Sequence, residues 1–257
     1  MIDLHSHILP GVDDGVKTLA ESIELARAAV ADGVSAIAAT PHVRDDYPTS
    51  ADTMERGVAG LRDSFAAGGI ELRVLRGGEL ALDRLDRYDV EELRRFGLGG
   101  NESYLLVETP YHAWPLDLGD RVFRLAVMDV TAVIGHPERN AAVQEDPGLL
   151  EAAVRAGALV QLTAASVDGR LGRRAARTCE ALLERGLAHL VASDAHAPDI
   201  RAVGMAAAAD ALGGGALARW LTVDVPRSIV DAEAVPERPA TPRGRAWWSL
   251  GRSPRRR

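Results

Sequence analysis

The chain has 257 residues, of which 47% are hydrophobic and 26% are charged, and this composition excludes disorder of the whole chain. The net charge of −7 argues against nucleic-acid binding, and the single cysteine excludes an internal disulfide and agrees with a cytoplasmic location. Because no apolar run reaches the ~18 residues of a membrane helix and the N-terminus has no signal-peptide pattern, we expect no integral membrane segment.

Short apolar runs alternate with amphipathic stretches from the N-terminus onward. Leu4 lies in the first short strand, and the helix predicted over 18–32 begins with a capping box of Thr18 and Glu21 and ends at Gly33. Further strands are predicted over 34–40, 70–76, 104–109, 131–135, 158–163 and 189–193. Helices are predicted over 50–67, 90–96, 118–128 and 147–156, as one long helix from residue 163 to Arg185, and after the last strand.

Strands that alternate with helices predict an α/β fold with a parallel sheet. About seven such units, without a change of composition between the halves, favour one closed barrel domain over residues 1–234. The alternative is a doubly wound open sheet, which usually carries a glycine-rich phosphate loop after its first strand. Here the first strand ends in His5-Ser6-His7 instead.

The last 23 residues, 235–257, differ in composition from the barrel. Four prolines interrupt the segment from residue 236 onward, and every charged residue from Arg238 to Arg257 is arginine. We predict a basic, disordered tail. Trp247 and Trp248 beside arginines leave contact with a membrane or a partner protein as the alternative interpretation.

Residue types that bind metals follow nearly every predicted strand, and barrel active sites lie at this end of the strands. Five of the seven histidines are found there. A single buried histidine is more often a hydrogen-bonded core residue than a ligand, but six such strand ends together predict a metal site. In chain order the candidates are His5, His7, His42, Glu79, Glu108, His136, Asp194 and His196, and the loop after the first strand adds Asp13 and Asp14.

The spacing of these residues supports the same prediction. On an extended segment the side chains of His5 and His7 point to one face, because the strand period is two residues, and Asp194 and His196 repeat this spacing. Mixed nitrogen and oxygen ligands suit Mn, Fe, Co or Zn, whereas Ca and Mg sites use oxygen alone.

Residues 3–15, Asp-Leu-His-Ser-His-Ile-Leu-Pro-Gly-Val-Asp-Asp-Gly, resemble the opening of the PHP (polymerase and histidinol phosphatase) superfamily. More narrowly, the segment resembles the bacterial manganese-dependent protein-tyrosine phosphatases of capsular and exopolysaccharide synthesis. The motifs at 40–42, 135–140 and 193–196 continue the resemblance in order, and it covers about residues 1–231.

The resemblance implies a distorted, TIM-like (β/α)7 barrel with three divalent metal ions. By position, one ion would be held by His5, His7, Glu79 and Asp194, a second by Glu79, Glu108 and His136, and a third by Asp14, His42 and His196. The two adjacent aspartates, Asp13 and Asp14, compete for one role. Arg139 and Arg201 stand where the family uses arginines to bind phosphate.

These observations predict a metal-dependent protein-tyrosine phosphatase that uses a metal-activated hydroxide. The resemblance implies Mn²⁺ as the cofactor, with Fe, Co or Zn also acceptable, and a tyrosine kinase of polysaccharide export as the partner. Asp13 and Asp199 are candidates for a general acid. The alternatives are another PHP phosphoesterase, such as a histidinol-phosphate phosphatase, and a non-catalytic metal-binding regulator.

Cys179 and Arg185 formally match the C-x5-R signature of cysteine-dependent tyrosine phosphatases. That chemistry needs a loop of open backbone N–H groups around the thiolate, whereas this segment is predicted to lie within an amphipathic helix. Glu180 and Glu184 would also repel phosphate and raise the pKa of the thiol. We therefore predict that Cys179 is a small helix residue without a catalytic role.

Overall fold

The computed structural model describes residues 1–197 and 202–240. Its strands pair in parallel throughout this part of the chain, in two sheets of order β1-β2-β4 and β3-β5-β6-β7-β8-β9. The strands are β1 (Ile2–Ser6), β2 (Ala36–Ala39), β3 (His42–Val43), β4 (Arg73–Arg76), β5 (Glu79–Ala81), β6 (Tyr104–Glu108), β7 (Thr131–Gly135), β8 (Leu159–Thr163) and β9 (Leu190–Ala192).

At two places the chain passes directly from the first sheet to the second. Only residues 40–41 separate β2 from β3, and only residues 77–78 separate β4 from β5. Backbone hydrogen bonds also join the carboxyl-terminal end of β1 to the segment that follows β9. His7 N donates to Ala195 O at 2.8 Å, and Asp194 N donates to His5 O at 2.8 Å. The predicted parallel α/β architecture is therefore confirmed.

Helices connect the strands. The longer ones are Leu19–Ala31, Ala51–Ala67, Val90–Arg95, Leu118–Val127, Arg173–Glu184, Met205–Ala211 and Val225–Val230. Shorter helical segments are Leu82–Asp86, Leu98–Gly100, Pro137–Arg139, Ala141–Glu145, Pro147–Leu150, Glu151–Arg155, Ala164–Val167, Ala216–Arg219 and Trp220–Asp224. The predicted capping box is present, since the Thr18 side chain accepts from Glu21 N and the Glu21 side chain accepts from Thr18 N.

One helix prediction was wrong. The long helix expected between residue 163 and Arg185 is two helices, Ala164–Val167 and Arg173–Glu184. Gly169 and Gly172 lie between them with φ of 87° and 94°. These left-handed backbone conformations suit glycine and end a right-handed helix, so the chain turns before the second helix begins.

The strands are buried along most of their length, and β1 and β8 are buried at every position. This is typical of parallel sheets whose faces are both covered. Polar side chains also lie within these strands, because Asp3 and Gln161 are 0% and 1% exposed. Buried polar side chains therefore lie among apolar ones within the sheet.

The first residues of the predicted tail contact the rest of the protein. Val235 packs against the core, Trp220 Nε1 donates to Pro236 O at 2.9 Å, and Arg238 Nη2 donates to Leu183 O at 2.7 Å. The remainder of the predicted tail, residues 241–257, lies outside the described residues. Within the described part of the chain, no helix is both long and apolar enough to cross a membrane.

Candidate metal centre

The nine side chains predicted as metal ligands come together in the structure. They form four overlapping groups, and within each group one potential ligand atom per residue lies within 4.8 Å of the others. The groups are His5/His7/Asp194, His5/Glu79/His136, His42/Glu79/Glu108 and His7/Asp14/His42/His196. Because members are shared between groups, the side chains form one continuous cluster.

Glu79, at the start of β5, lies at the centre of the cluster and is completely buried. Its Oε1 lies 2.7 Å from His136 Nε2, and its Oε2 lies 2.8 Å from His42 Nδ1. The same Oε2 lies 3.4 Å from the Nε2 atoms of both His5 and His7. One carboxylate therefore contacts four imidazoles, which suits a ligand shared between ions.

The His-x-His spacing brings two ring nitrogens together, since His5 Nε2 and His7 Nε2 are 3.3 Å apart. Asp194 Oδ1 lies 3.4 Å from the first of these atoms and 3.3 Å from the second. Asp194 and His136 both have left-handed backbones, with φ of 52° and 35°. Such strain costs of order 1–3 kcal/mol and is concentrated at functional sites, so the fold holds both side chains in place at a cost in stability.

The two adjacent aspartates occupy different positions. Asp14 Oδ1 lies 3.3 Å from His42 Nε2 and 3.2 Å from His196 Nε2, inside the cluster. Asp13 lies behind His7, where its Oδ2 accepts from His7 Nδ1 at 2.7 Å and from His42 N at 3.0 Å. Its other oxygen accepts from Gly15 N at 2.9 Å. The geometry thus favours Asp14 as the ligand and gives Asp13 a supporting position.

Several buried polar atoms of the cluster have no well-oriented hydrogen-bond partner among the described residues. They include Glu79 Oε2, Glu108 Oε1 and His42 Nδ1. Leaving a buried carboxylate oxygen without a partner is costly, and a divalent cation would satisfy all three atoms. Their mixture of oxygen and nitrogen donors suits transition metals, so the residues fit such ions.

Charge within the cluster is balanced between carboxylates and imidazoles. Burial opposes the charged form of His42, but Glu79 and Asp14 outweigh this effect and raise the pKa of His42 to about 9. Burial would also raise the pKa of Glu79, yet the surrounding imidazoles, His5 and His42 foremost, hold it well below its usual range. Protons on the histidines thus provide positive charge that bound cations would replace.

Hydrogen bonds behind the cluster orient its histidines. His5 Nδ1 donates to Gln161 Oε1 at 3.0 Å, and the same oxygen accepts from His136 N at 3.3 Å. His196 Nδ1 donates to Asp194 O at 2.8 Å. Such contacts fix the tautomer and the ring orientation of metal-binding histidines. Sequence reasoning missed Gln161, although a glutamine flanked by apolar residues in β8 was an available signal.

Of the two predicted phosphate-binding arginines, Arg139 lies beside the cluster. Its Nη1 donates to Asp194 Oδ2 at 2.6 Å. Arg201 and the candidate acid Asp199 lie outside the described residues. Arg44, which sequence reasoning also missed, lies beside the cluster as well, with Nη1 3.2 Å from Glu108 Oε2. Its position two residues after His42 was the only signal in the sequence.

Cys179 lies apart from the cluster, buried within the helix Arg173–Glu184. Burial raises the pKa of its thiol well above the usual value, and Glu138 and Glu180 raise it further. The thiol is therefore uncharged at neutral pH and is a poor nucleophile. This geometry agrees with the prediction that the C-x5-R match is incidental.

The family model described as "Capsular polysaccharide synthesis, CpsB/CapC" matches residues 1–227. The chain is 36% identical over 197 residues to tyrosine-protein phosphatase YwqE of Bacillus subtilis (strain 168). The aligned region covers 76% of this chain and 77% of the relative. It is 34% identical over 199 residues to the putative tyrosine-protein phosphatase CapC of Staphylococcus aureus, with coverage of 76% and 77%.

A solved structure is similar over almost the whole chain. It comes from the crystal structures of YwqE from Bacillus subtilis and CpsB from Streptococcus pneumoniae, which are described as unique metal-dependent tyrosine phosphatases. The TM-score is 0.85 at 31% sequence identity, and the match covers 95% of this chain and 100% of the solved one. The strands that carry the candidate cluster therefore lie within a shared fold.

Proposed function

The chain belongs to the CpsB/CapC family of capsular polysaccharide synthesis, and from this premise we propose that it is a metal-dependent protein-tyrosine phosphatase. The family agrees with the resemblance predicted from the motifs. The observation that carries the proposal is the convergence of nine buried or partly buried ligand side chains, with Glu79 among them, beside the guanidinium of Arg139. A cluster of this composition suits hydrolysis of a phosphoric monoester.

We further propose that the cluster holds three ions, with manganese as the metal and Fe, Co or Zn as acceptable substitutes. The number of ions follows from the resemblance, and the four overlapping groups support the choice of ligands, because together they contain every residue of the three implied ligand sets. Glu79 would bridge two ions, which agrees with its contacts through both oxygens. Clustered divalent ions supply a bound water acidic enough to act as a nucleophile at neutral pH.

The fold proposed for this site is a distorted, TIM-like (β/α)7 barrel of the PHP superfamily. Counting β2 with β3, and β4 with β5, leaves seven parallel strand units, the number predicted from the sequence. The hydrogen bonds between the segments that follow β1 and β9 support closure of the sheet. Residues 1–234 would form this barrel, with the basic tail after it.

In this proposal the protein's own residues bind and orient the phosphate. Arg139 would present N–H donors to the equatorial oxygens, where negative charge accumulates in the transition state. Its contacts with Asp194 and with the ring of Tyr111 hold the guanidinium in position. A phenolate leaving group has a pKa of about 10 and needs less protonation than an alkoxide. Phosphotyrosine therefore suits a site without an identified general acid.

The proposed substrate is a phosphotyrosine protein, and specifically a tyrosine kinase that regulates capsular or exopolysaccharide synthesis in the cytoplasm. The family description and the names of the relatives support the class of substrate. The identity of the kinase rests on the family resemblance alone. Arg201 is proposed as a second phosphate-binding arginine on the same basis.

The test is hydrolysis of a phosphotyrosine peptide with added Mn²⁺, beside histidinol phosphate as the competing substrate. Arg139→Ala should lower kcat/KM by about 10²–10³-fold, as expected for the loss of one oriented donor. His136→Ala should lower both metal content and turnover. Arg87→Ala, in an exposed ion pair with Asp45 and Asp83, serves as the matched control.

Preference for histidinol phosphate over the phosphotyrosine peptide would contradict the proposal and favour a histidinol-phosphate phosphatase of the PHP superfamily. Bound metal without turnover of either substrate, under Mn²⁺, Fe²⁺, Co²⁺ and Zn²⁺ in turn, would overturn the proposal and favour a non-catalytic regulator.

A further inference from the structure

Arg44 lies in surroundings that closely match those of Arg139. Arg139 Nη1 pairs with Asp194 Oδ2 at 2.6 Å, and its guanidinium lies 5.0 Å from the ring centroid of Tyr111. Arg44 Nη1 pairs with Glu108 Oε2 at 3.2 Å, and its guanidinium lies 5.2 Å from the ring centroid of Tyr47. Each arginine therefore pairs with a carboxylate of the cluster and packs against a tyrosine.

The two tyrosines in turn stack on histidines of the cluster. Tyr111 and His136 have ring centroids 6.0 Å apart and an interplanar angle of 3°, while Tyr47 and His42 are 5.8 Å apart at 18°. His136 and His42 contact different oxygens of Glu79. The cluster is thus flanked by two His–Tyr–Arg units, His136–Tyr111–Arg139 and His42–Tyr47–Arg44, that meet at Glu79.

The two arginine side chains are also similarly accessible, since that of Arg44 is 25% exposed and that of Arg139 is 23% exposed. Stacking on a tyrosine orients a guanidinium without using its N–H donors. Arg44 Nε also pairs with Asp46 Oδ1 at 2.8 Å, but among the described residues its Nη2 makes no hydrogen bond, so a donor remains for a ligand. An arginine whose only task was to hold Glu108 would need neither this exposure nor an unused donor.

From this correspondence we propose that Arg44 is a substrate-binding residue in addition to the proposed Arg139 and Arg201, that it contacts the phosphoryl group together with Arg139, and that Tyr47 positions it. The proposal rests on the proposed phosphatase function and adds a specific residue to it. A phosphate monoester carries close to two negative charges at neutral pH and offers three acceptor oxygens, so two guanidinium groups can bind it at once.

The experiment measures binding of inorganic phosphate to the full-length, Mn²⁺-loaded protein by calorimetry, together with metal content by mass spectrometry. Arg44→Gln should weaken phosphate binding by about tenfold or more, as expected for the loss of a charge-assisted hydrogen bond, at unchanged metal content. Arg44→Lys should recover part of the affinity. Tyr47→Leu should weaken binding, whereas Tyr47→Phe should not, because stacking needs the ring and not the hydroxyl.

Arg87→Gln is the matched control and should leave phosphate binding unchanged, and thermal midpoints verify that each variant is folded. Two results would overturn the proposal: a fall in metal content with unchanged phosphate affinity at saturating Mn²⁺, which would limit Arg44 to holding Glu108, or no change in either quantity. Failure of the phosphatase function would appear separately, as a wild-type protein that binds phosphate but does not hydrolyse the phosphotyrosine peptide.

Discussion

Glu79 shows how much of this site depends on single atoms. Each of its carboxylate oxygens contacts imidazole nitrogens, yet Oε2 lacks a well-oriented hydrogen bond although it is buried. A carboxylate surrounded by four histidines is stable without metal only when some of those histidines are protonated. Metal affinity and protonation are therefore linked at this residue.

The substitution Cys179→Ser should leave phosphatase turnover and metal content nearly unchanged. The thiol is buried, its pKa is raised, and it belongs to none of the metal-binding groups in the described structure. The measurement is kcat/KM for a phosphotyrosine peptide in variant and wild type. Loss of turnover with fold and metal content intact would show that the thiol takes part in the chemistry.

Among the elements, β8 supports the site although it contributes no candidate ligand. Gln161 in this strand accepts hydrogen bonds from His5 and from the backbone of His136, and so joins the ends of β1 and β7. On the other side, β8 pairs with the segment that leads into β9, where Val160 N donates to His189 Nδ1 at 3.1 Å. The strand thus connects the cluster to His189, a partly buried histidine outside it.

The environment of His189 predicts that the free energy of unfolding of the protein depends on pH. Burial, together with the nearby Arg238, lowers the pKa of His189 to about 4, compared with ~6.5 in the unfolded chain. Since the unfolded state takes up the proton first, stability decreases as pH falls from about 6.5 to about 4. His189→Gln, which keeps an acceptor for Val160 N, should remove up to about 1.4 kcal/mol per pH unit of this dependence.

The measurement is urea unfolding of both proteins at several pH values in the presence of a chelator. Titration of the cluster's histidines is common to the two proteins and cancels in the difference between them. Parallel stability curves for wild type and variant across this interval would show that His189 does not carry the effect.

For the whole molecule, metal binding should stabilise the fold, because the cluster joins residues from β1 to the segment after β9 and has no equivalent in the unfolded chain. Free Mn²⁺ at a hundred times its dissociation constant adds about 2.7 kcal/mol, which raises the thermal midpoint of a chain this size by roughly 5–10 °C. Differential scanning calorimetry with Mn²⁺ and with a chelator measures this shift. An equal midpoint in both conditions would contradict the proposed cluster.

Local patterns in the sequence were sufficient to predict most of the strands and helices and to identify the candidate ligands. Apolar runs and the Thr18–Glu21 capping box predicted the strands and the first helix, because these signals depend only on neighbouring residues. The long helix before Arg185 failed because two glycines with left-handed backbones break it. The spacing of His5 and His7 predicted their shared direction, since it follows from strand geometry alone.

Other features depended on contacts between residues distant in the sequence. The resemblance assigned Asp14 to the metal site but left the adjacent Asp13 as a competitor, and only the positions of His7 and His196 around that loop separate them. The supporting positions of Gln161, Arg44 and Tyr111 likewise arise from contacts between segments that are distant in the sequence. The sequence by itself thus determined the fold class and the chemistry of the site, whereas tertiary structure decided which side chains touch, because packing of distant segments leaves no local pattern.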